Sequence, residues 1–188
     1  MKKTIIIGAV AAVLFVQCGK ESDPFTINKG SIGKLSSEIM MKQVDSVFAT
    51  DSIVKINSSP NAIETQGEVE VYEKGGKKLM TLSPENESDP SSTITNIQVF
   101  DSRYKTDKGL NSASTFKDVK ANYKVNNIET TINAIVVFLE DTDVYLTIDK
   151  ENLPEELRYD PNIKVEASQI PDNAPFKYFM LGWEPAAE

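Results

Sequence analysis

Two kinds of side chain in this sequence could do chemistry: one thiol and a large set of carboxylates. Cys18 is the only cysteine among 188 residues, and histidine is absent. Without histidine there is no Ser-His or Cys-His pair to activate a nucleophile, and no histidine-ligated zinc. A lone thiol has no partner for a disulfide, so the expected fate of Cys18 is modification rather than pairing. The 28 acidic residues offer a second chemistry, because two carboxylates at the right separation can hydrolyse a glycan. Asp141 and Asp143 flank Thr142 beside Glu140 and could present oxygen ligands to calcium. A full calcium loop needs more ligands and usually a glycine, so a water-exposed acidic turn is the expected reading. No metal or other cofactor is expected.

The segment that positions the thiol is the amino end. Lys2 and Lys3 precede residues 4–16, which carry no charge and are mostly apolar, and Cys18 follows. A charged start, a short apolar run and a processing site make a secretory signal peptide. The run is too short for a spanning helix, which takes about 20 apolar residues. The string Phe15-Val16-Gln17-Cys18 resembles the lipobox of bacterial lipoproteins in its relaxed Bacteroidota form. That resemblance implies diacylglycerol on the Cys18 sulfur, cleavage after residue 17 and acylation of the new amino end. Gln17 stands where the family prefers a small residue. The alternative is an ordinary signal peptide cut elsewhere, with Cys18 incidental.

Lys20, Glu21 and Asp23 resemble the surface-export signal of the same lipoproteins, although a plain solvated tether has a similar composition. Gly19 beside the cysteine is similar to the pattern for outer-membrane retention. The expected location is therefore the cell outer membrane, on its periplasmic or its surface-exposed face. Each buried acyl methylene contributes about 0.8 kcal/mol, so two or three chains hold the protein there.

Charge narrows the partners. The formal charge is −8, and loss of Lys2 and Lys3 on processing makes it more negative still. An acidic body repels nucleic-acid phosphates. Nucleic acid is excluded as a partner, leaving the membrane through the lipid and an envelope protein or glycan through the body. About 170 residues suffice for one medium domain or two small ones without disulfides.

Periodicity predicts an α+β body of antiparallel sheets, each packed by a short helix. Met40, Met41, Val44, Val47 and Phe48 form one apolar stripe behind Ser36-Ser37-Glu38, predicting a helix over 37–49. Strands are predicted at 52–57, 68–73 and 78–82, the last two joined by a turn through Gly75-Gly76 and the first ended by turn residues at 58–61. Residues 83–93 carry two prolines and no apolar side chain, marking an internal boundary. Strands follow at 94–100, 132–140 and 144–148.

Thr106, Gly109, Ser114-Thr115, Asp118-Val119 and Tyr123 form a string that resembles a motif of small secreted and lipoprotein modules. In those, a glycine turn leads into a short capped helix on an antiparallel sheet. Independently, Thr115 can cap, and Phe116, Val119 and Tyr123 share a face. Beyond lie a short helix at 152–157, a strand at 163–167 and a strand over 176–183 buried on both faces. Phe176, Tyr178, Phe179 and Trp183 could form a ligand platform, but core is the expected use of so much aromatic area. Met41, Val44 and Phe48 repeat the spacing of Phe116, Val119 and Tyr123, and each set follows a Lys-Gly pair. Two copies of a helix-plus-hairpin unit would give this pattern, an arrangement similar to the tandem modules of the beta-lactamase inhibitor proteins.

The predicted organisation is a signal peptide at 1–17, a lipidated tether at 18–29, a first α+β half at 30–83, a linker at 84–93 and a second half at 94–188. The expected function is a non-enzymatic binding or structural module of the cell envelope. A carboxylate-dependent glycan hydrolase or a carrier of a small ligand is the alternative.

Overall fold

The computed structural model describes residues 23–56, 67–160 and 163–184. The signal peptide, Cys18, the first part of the tether and the expected turn at 58–61 lie outside the described residues. The body is built mostly of antiparallel strands with a few short helices, compatible with an α+β class. Among the described residues no helix is long and apolar enough to cross a membrane.

Eight strands form one sheet: β4 (Ser52–Ile56), β5 (Glu68–Tyr72), β6 (Lys78–Pro84), β7 (Ile94–Val99), β9 (Val125–Thr130), β10 (Ala134–Leu139), β11 (Val144–Asp149) and β12 (Tyr178–Gly182). Their spatial order is β4-β5-β6-β7-β12-β11-β10-β9, with every neighbour antiparallel. A small second sheet has the order β3-β2-β1-β8, from β1 (Thr26–Asn28), β2 (Ser31–Ile32), β3 (Leu35–Ser36) and β8 (Lys105–Thr106).

Alternation along each strand divides the large sheet into two faces. On the inner face, Leu82, Ile97, Leu181 and Val144 lie side by side across four strands, and Phe179, Leu146 and Val137 across three. All are buried and join one core cluster with Ile27, Ile32 and Leu35 of the small sheet. On the outer face the corresponding row is Glu70, Thr81, Gln98, Met180, Tyr145, Phe138 and Asn127. This mixed row is where the sheet meets solvent.

Several elements differ from the sequence expectation. The helix predicted at 37–49 shrinks to a 3-10 turn at Met41–Gln43 and one turn, α1 (Val44–Val47). Leu35 and Ser36 are already committed to β3, residues 37 and 38 form a turn, and Met40 makes a β-bridge with Thr93, so helical backbone starts only at residue 41. The apolar stripe survives in Met41, Val44 and Phe48, all buried. Residues 84–93 join β6 to its own sheet neighbour β7, and Met41 and Lys42 donate backbone bonds to Ser92 and Pro90 in this loop. The sheet therefore runs through both predicted halves.

The strand expected at 163–167 is replaced by irregular chain and a 3-10 turn at Ala167–Gln169. The Gln169 side chain accepts from the Glu166 backbone at 2.8 Å and closes a turn where a strand would continue. β12 is buried on one face only, for Tyr178 is exposed while Phe179, Leu181 and Trp183 are buried. The short helix at 152–157 divides into two 3-10 turns, with Pro154 directly before the second. α2 (Phe116–Asn122) starts at Thr115 as the sequence predicts, the Thr115 N–H donating to Asp118 Oδ2 at 2.8 Å. Each helix is followed in sequence by four sheet strands rather than two: α1 by β4 to β7, α2 by β9 to β12.

The sheet has two distinguishable ends. One, the tip, carries the β10–β11 turn at 141–143 and the finish of β12. The other, the base, carries the starts of β6, β10 and β12 with the finishes of β5, β7 and β11. β1 climbs from base to tip, because Arg103 lies 4.3 Å over the Phe25 ring at the base while the Gly30 N–H meets Asp143 at the tip.

Candidate binding groove

The tip half of the outer face forms a groove of about 900 Å³. Phe138 and Tyr145 sit opposite each other on β10 and β11 and stack with ring centroids 5.6 Å apart and planes 24° from parallel. Tyr145 leans across Gly182, where an added Cβ would lie 3.3 Å from Tyr145 Cε1. A side chain at this position would press on the ring, and glycine leaves the ring its room. The Tyr145 hydroxyl then reaches past β12 and donates to Asn96 Oδ1 on β7 at 2.8 Å. Burial raises the Tyr145 phenol above its ordinary pKa, so it stays a hydrogen-bond donor at neutral pH.

The groove wall comes from the tip. Asp143 is a structural acceptor there: its Oδ2 receives the Gly30 N–H at 2.5 Å and the Trp183 indole N–H at 3.1 Å. One carboxylate thus ties the β1–β2 hairpin and the end of β12 to the β10–β11 turn. The expectation of a freely solvated acidic turn is corrected for Asp143, which is half-buried and occupied. Asp141 takes the left-handed conformation at φ 59° and lines the groove with Glu129, Asn126 and Lys29. Among the described residues no group of three or more His, Cys, Asp or Glu side chains is placed to hold a metal.

Of the four aromatics singled out in the sequence, Phe179 and Trp183 are buried, Phe176 is half-buried and Tyr178 is exposed away from this groove. Trp183 nonetheless contributes through its indole edge. Sequence reading missed the Phe138–Tyr145 pair because both sit in strands whose strongest signal is the buried inner row. The available signal was their alternation with Val137, Leu139, Val144 and Leu146, which puts them together on the other face.

No family model matches this chain, and no curated protein matches it. The crystal structure of the uncharacterized protein yfeY from Escherichia coli is similar, with a TM-score of 0.55 at 15% identity. The likeness covers 84% of this chain and 99% of that one. At that identity it speaks for a common fold alone.

Proposed function

We propose that the protein is a lipid-anchored component of the cell envelope that works by contact without catalysis, and that the tip groove takes an envelope saccharide. The stacked Phe138–Tyr145 pair on an open sheet face carries the reading. Sugar rings present C–H faces that pack against aromatics, and hydroxyls that need amide and carboxylate partners. Asn96, Asn126, Glu129 and Asp141 supply those partners around the pair. A groove of this size lies within the range of small-molecule sites, roughly 300–1,000 Å³. The anchor rests on Cys18 and its preceding apolar run.

The glycan-hydrolase reading draws on Glu129, Asp141 and Asp143 lining the same groove. Asp143 is already engaged by two N–H groups, which favours binding over turnover. Titration of the full-length chain with neutral oligosaccharides from envelope preparations, read by calorimetry, tests the proposal. Phe138→Ala is expected to weaken binding about tenfold, the equivalent of about 1.4 kcal/mol, and Tyr145→Phe by a smaller factor. Binding unchanged in Phe138→Ala, or shortened oligosaccharide after incubation, would overturn it.

We also infer that the chain consists of two copies of a unit in which a helix packs on an antiparallel meander. The sheet order reads identically outward from the β7–β12 pairing, each helix precedes its four strands, and buried residues of both helices join one core cluster. Superposing residues 41–99 on 116–182 tests this; no common frame for the paired strands would contradict it.

A further inference from the structure

The base of the sheet carries a second concavity, of about 730 Å³, whose lining differs in kind from the groove. Three cations face it, Lys150, Arg158 and Lys177, against the carboxylates of Asp149 and Glu151. Lys177 is paired with Asp149 at 2.7 Å. Lys150 is only 3% exposed, and its Nζ donates to the neutral Asp160 carbonyl at 3.2 Å. Arg158 uses Nε on the Leu153 carbonyl at 2.7 Å. Among the described residues its two terminal nitrogens have no hydrogen-bond acceptor. A buried amine and a half-used guanidinium fork together suit an oxyanion with several acceptor oxygens.

The rim of the same cleft is apolar and strongly exposed. Ile132 is 80% exposed and Tyr159 is 79% exposed. Phe100 and Tyr178, also exposed, lie along the same end of the sheet, with Lys78 4.3 Å over the first ring and Lys177 5.6 Å over the second. Four of the six exposed large apolar side chains among the described residues thus crowd one end of an otherwise acidic body. Tyrosines and aliphatics beside lysine and arginine are what a lipid–water interface selects.

The amino end enters at this end as well. Asp23 caps the Phe25 N–H at 3.0 Å, and Phe25 packs under Arg103, which is bound through Asp101 to the start of β6. Asp23 lies five positions after Cys18, a reach of at most about 18 Å when fully extended. A chain acylated at Cys18 therefore holds the base, and not the tip, against the bilayer.

We propose that the base cleft binds the phosphate headgroup of an anionic membrane lipid, clamped between Arg158 and Lys150, with Ile132 and Tyr159 reaching into the acyl boundary. The orientation rests on the lipid-anchor reading, whereas the site itself does not. Cations are drawn to an anionic leaflet, so the site orients the body and leaves the tip groove facing away from the membrane.

Native mass spectrometry of the full-length chain in neutral detergent, titrated with phosphatidylglycerol, phosphatidylcholine or inorganic phosphate, tests the proposal. Retention of phosphatidylglycerol in preference to phosphatidylcholine is expected. Arg158→Gln should cut the bound fraction about tenfold, and the Ile132→Ser/Tyr159→Ser pair should lower lipid retention without changing phosphate adducts. Equal retention of the two lipids, phosphate bound as well as lipid, or undiminished retention in Arg158→Gln would overturn it. The same spectra give the mass at Cys18. An unmodified thiol with lipid still retained removes the anchor and keeps the site, while an acylated chain that retains no lipid removes the site alone.

Discussion

Exchange of Asp101 for asparagine is expected to lower the thermal midpoint by roughly 6–12 °C and to remove the share of the acid dependence of stability that Asp101 carries. Asp101 is only 1% exposed. It accepts from Arg103 through the backbone N at 3.0 Å, Nε at 2.8 Å and Nη2 at 2.5 Å, and from Lys77 Nζ at 3.0 Å. Breaking a buried charge pair from one side costs about 3–5 kcal/mol. The lower figure applies here, because the Arg103 and Lys77 side chains are partly exposed and rehydrate. A protein of this size loses roughly 2–4 °C per kcal/mol.

Burial pushes the Asp101 carboxyl up, but hydrogen bonds from Arg103 and Lys77 outweigh it and hold the pKa at about 2. The folded value lies below the unfolded one of about 3.9. The stabilisation is therefore complete above about pH 4 and disappears as pH falls toward 2, a change of about 2 kcal/mol. Melting curves of both proteins from pH 7 to pH 2 should converge at the acid end. A gap that stays constant across that range would contradict the assignment.

Gly33→Ala is expected to cost on the order of 3 kcal/mol, far more than the same change at Gly75. Gly33 has φ +56°, and a Cβ there would sit 2.6 Å from the Pro24 carbonyl oxygen and 3.1 Å from Tyr104. The oxygen belongs to backbone, and Gly33 is itself pinned by its N–H on Thr26 O at 2.9 Å, so neither side yields cheaply. Gly75 also has positive φ but meets nothing within 4 Å, leaving only the conformational term of about 1 kcal/mol. Denaturant unfolding of the two variants separates clash from backbone preference, and equal losses would refute the account. The clash lies where the amino end joins the body, so hydrogen exchange over residues 24–35 should rise in Gly33→Ala first.

The large sheet was legible wherever alternation was strong. Glu68 to Tyr72, with acids between valines, and the Gly75-Gly76 turn at φ 119° and 96° are a hairpin in sequence and in structure. β9 was not legible, because an edge strand reading Val-Asn-Asn-Ile-Glu-Thr buries little and carries no alternating apolar signal. The short β1, β2, β3 and β8 are two or three residues each, too brief for any periodicity, and β8 pairs with β1 across most of the intervening chain. The α1 stripe was legible as burial but not as helix, since nothing local reveals that Met40 bridges Thr93. At the groove, the acid at 143 was visible as a residue, yet its work as an acceptor for Gly30 and Trp183 depends on contacts 113 and 40 positions away. Lys150 and Arg158 drew no notice because isolated cations in an acidic chain read as solvated surface.

The lipid anchor proposed at Cys18 is what would give the base and tip their separate meanings, so the mass of the mature amino-terminal peptide tests the account most directly. The predicted result, from protein isolated from envelopes, is a peptide beginning at Cys18 with diacylglycerol on its sulfur. A free Cys18 thiol, or an amino end at any other residue, would contradict it.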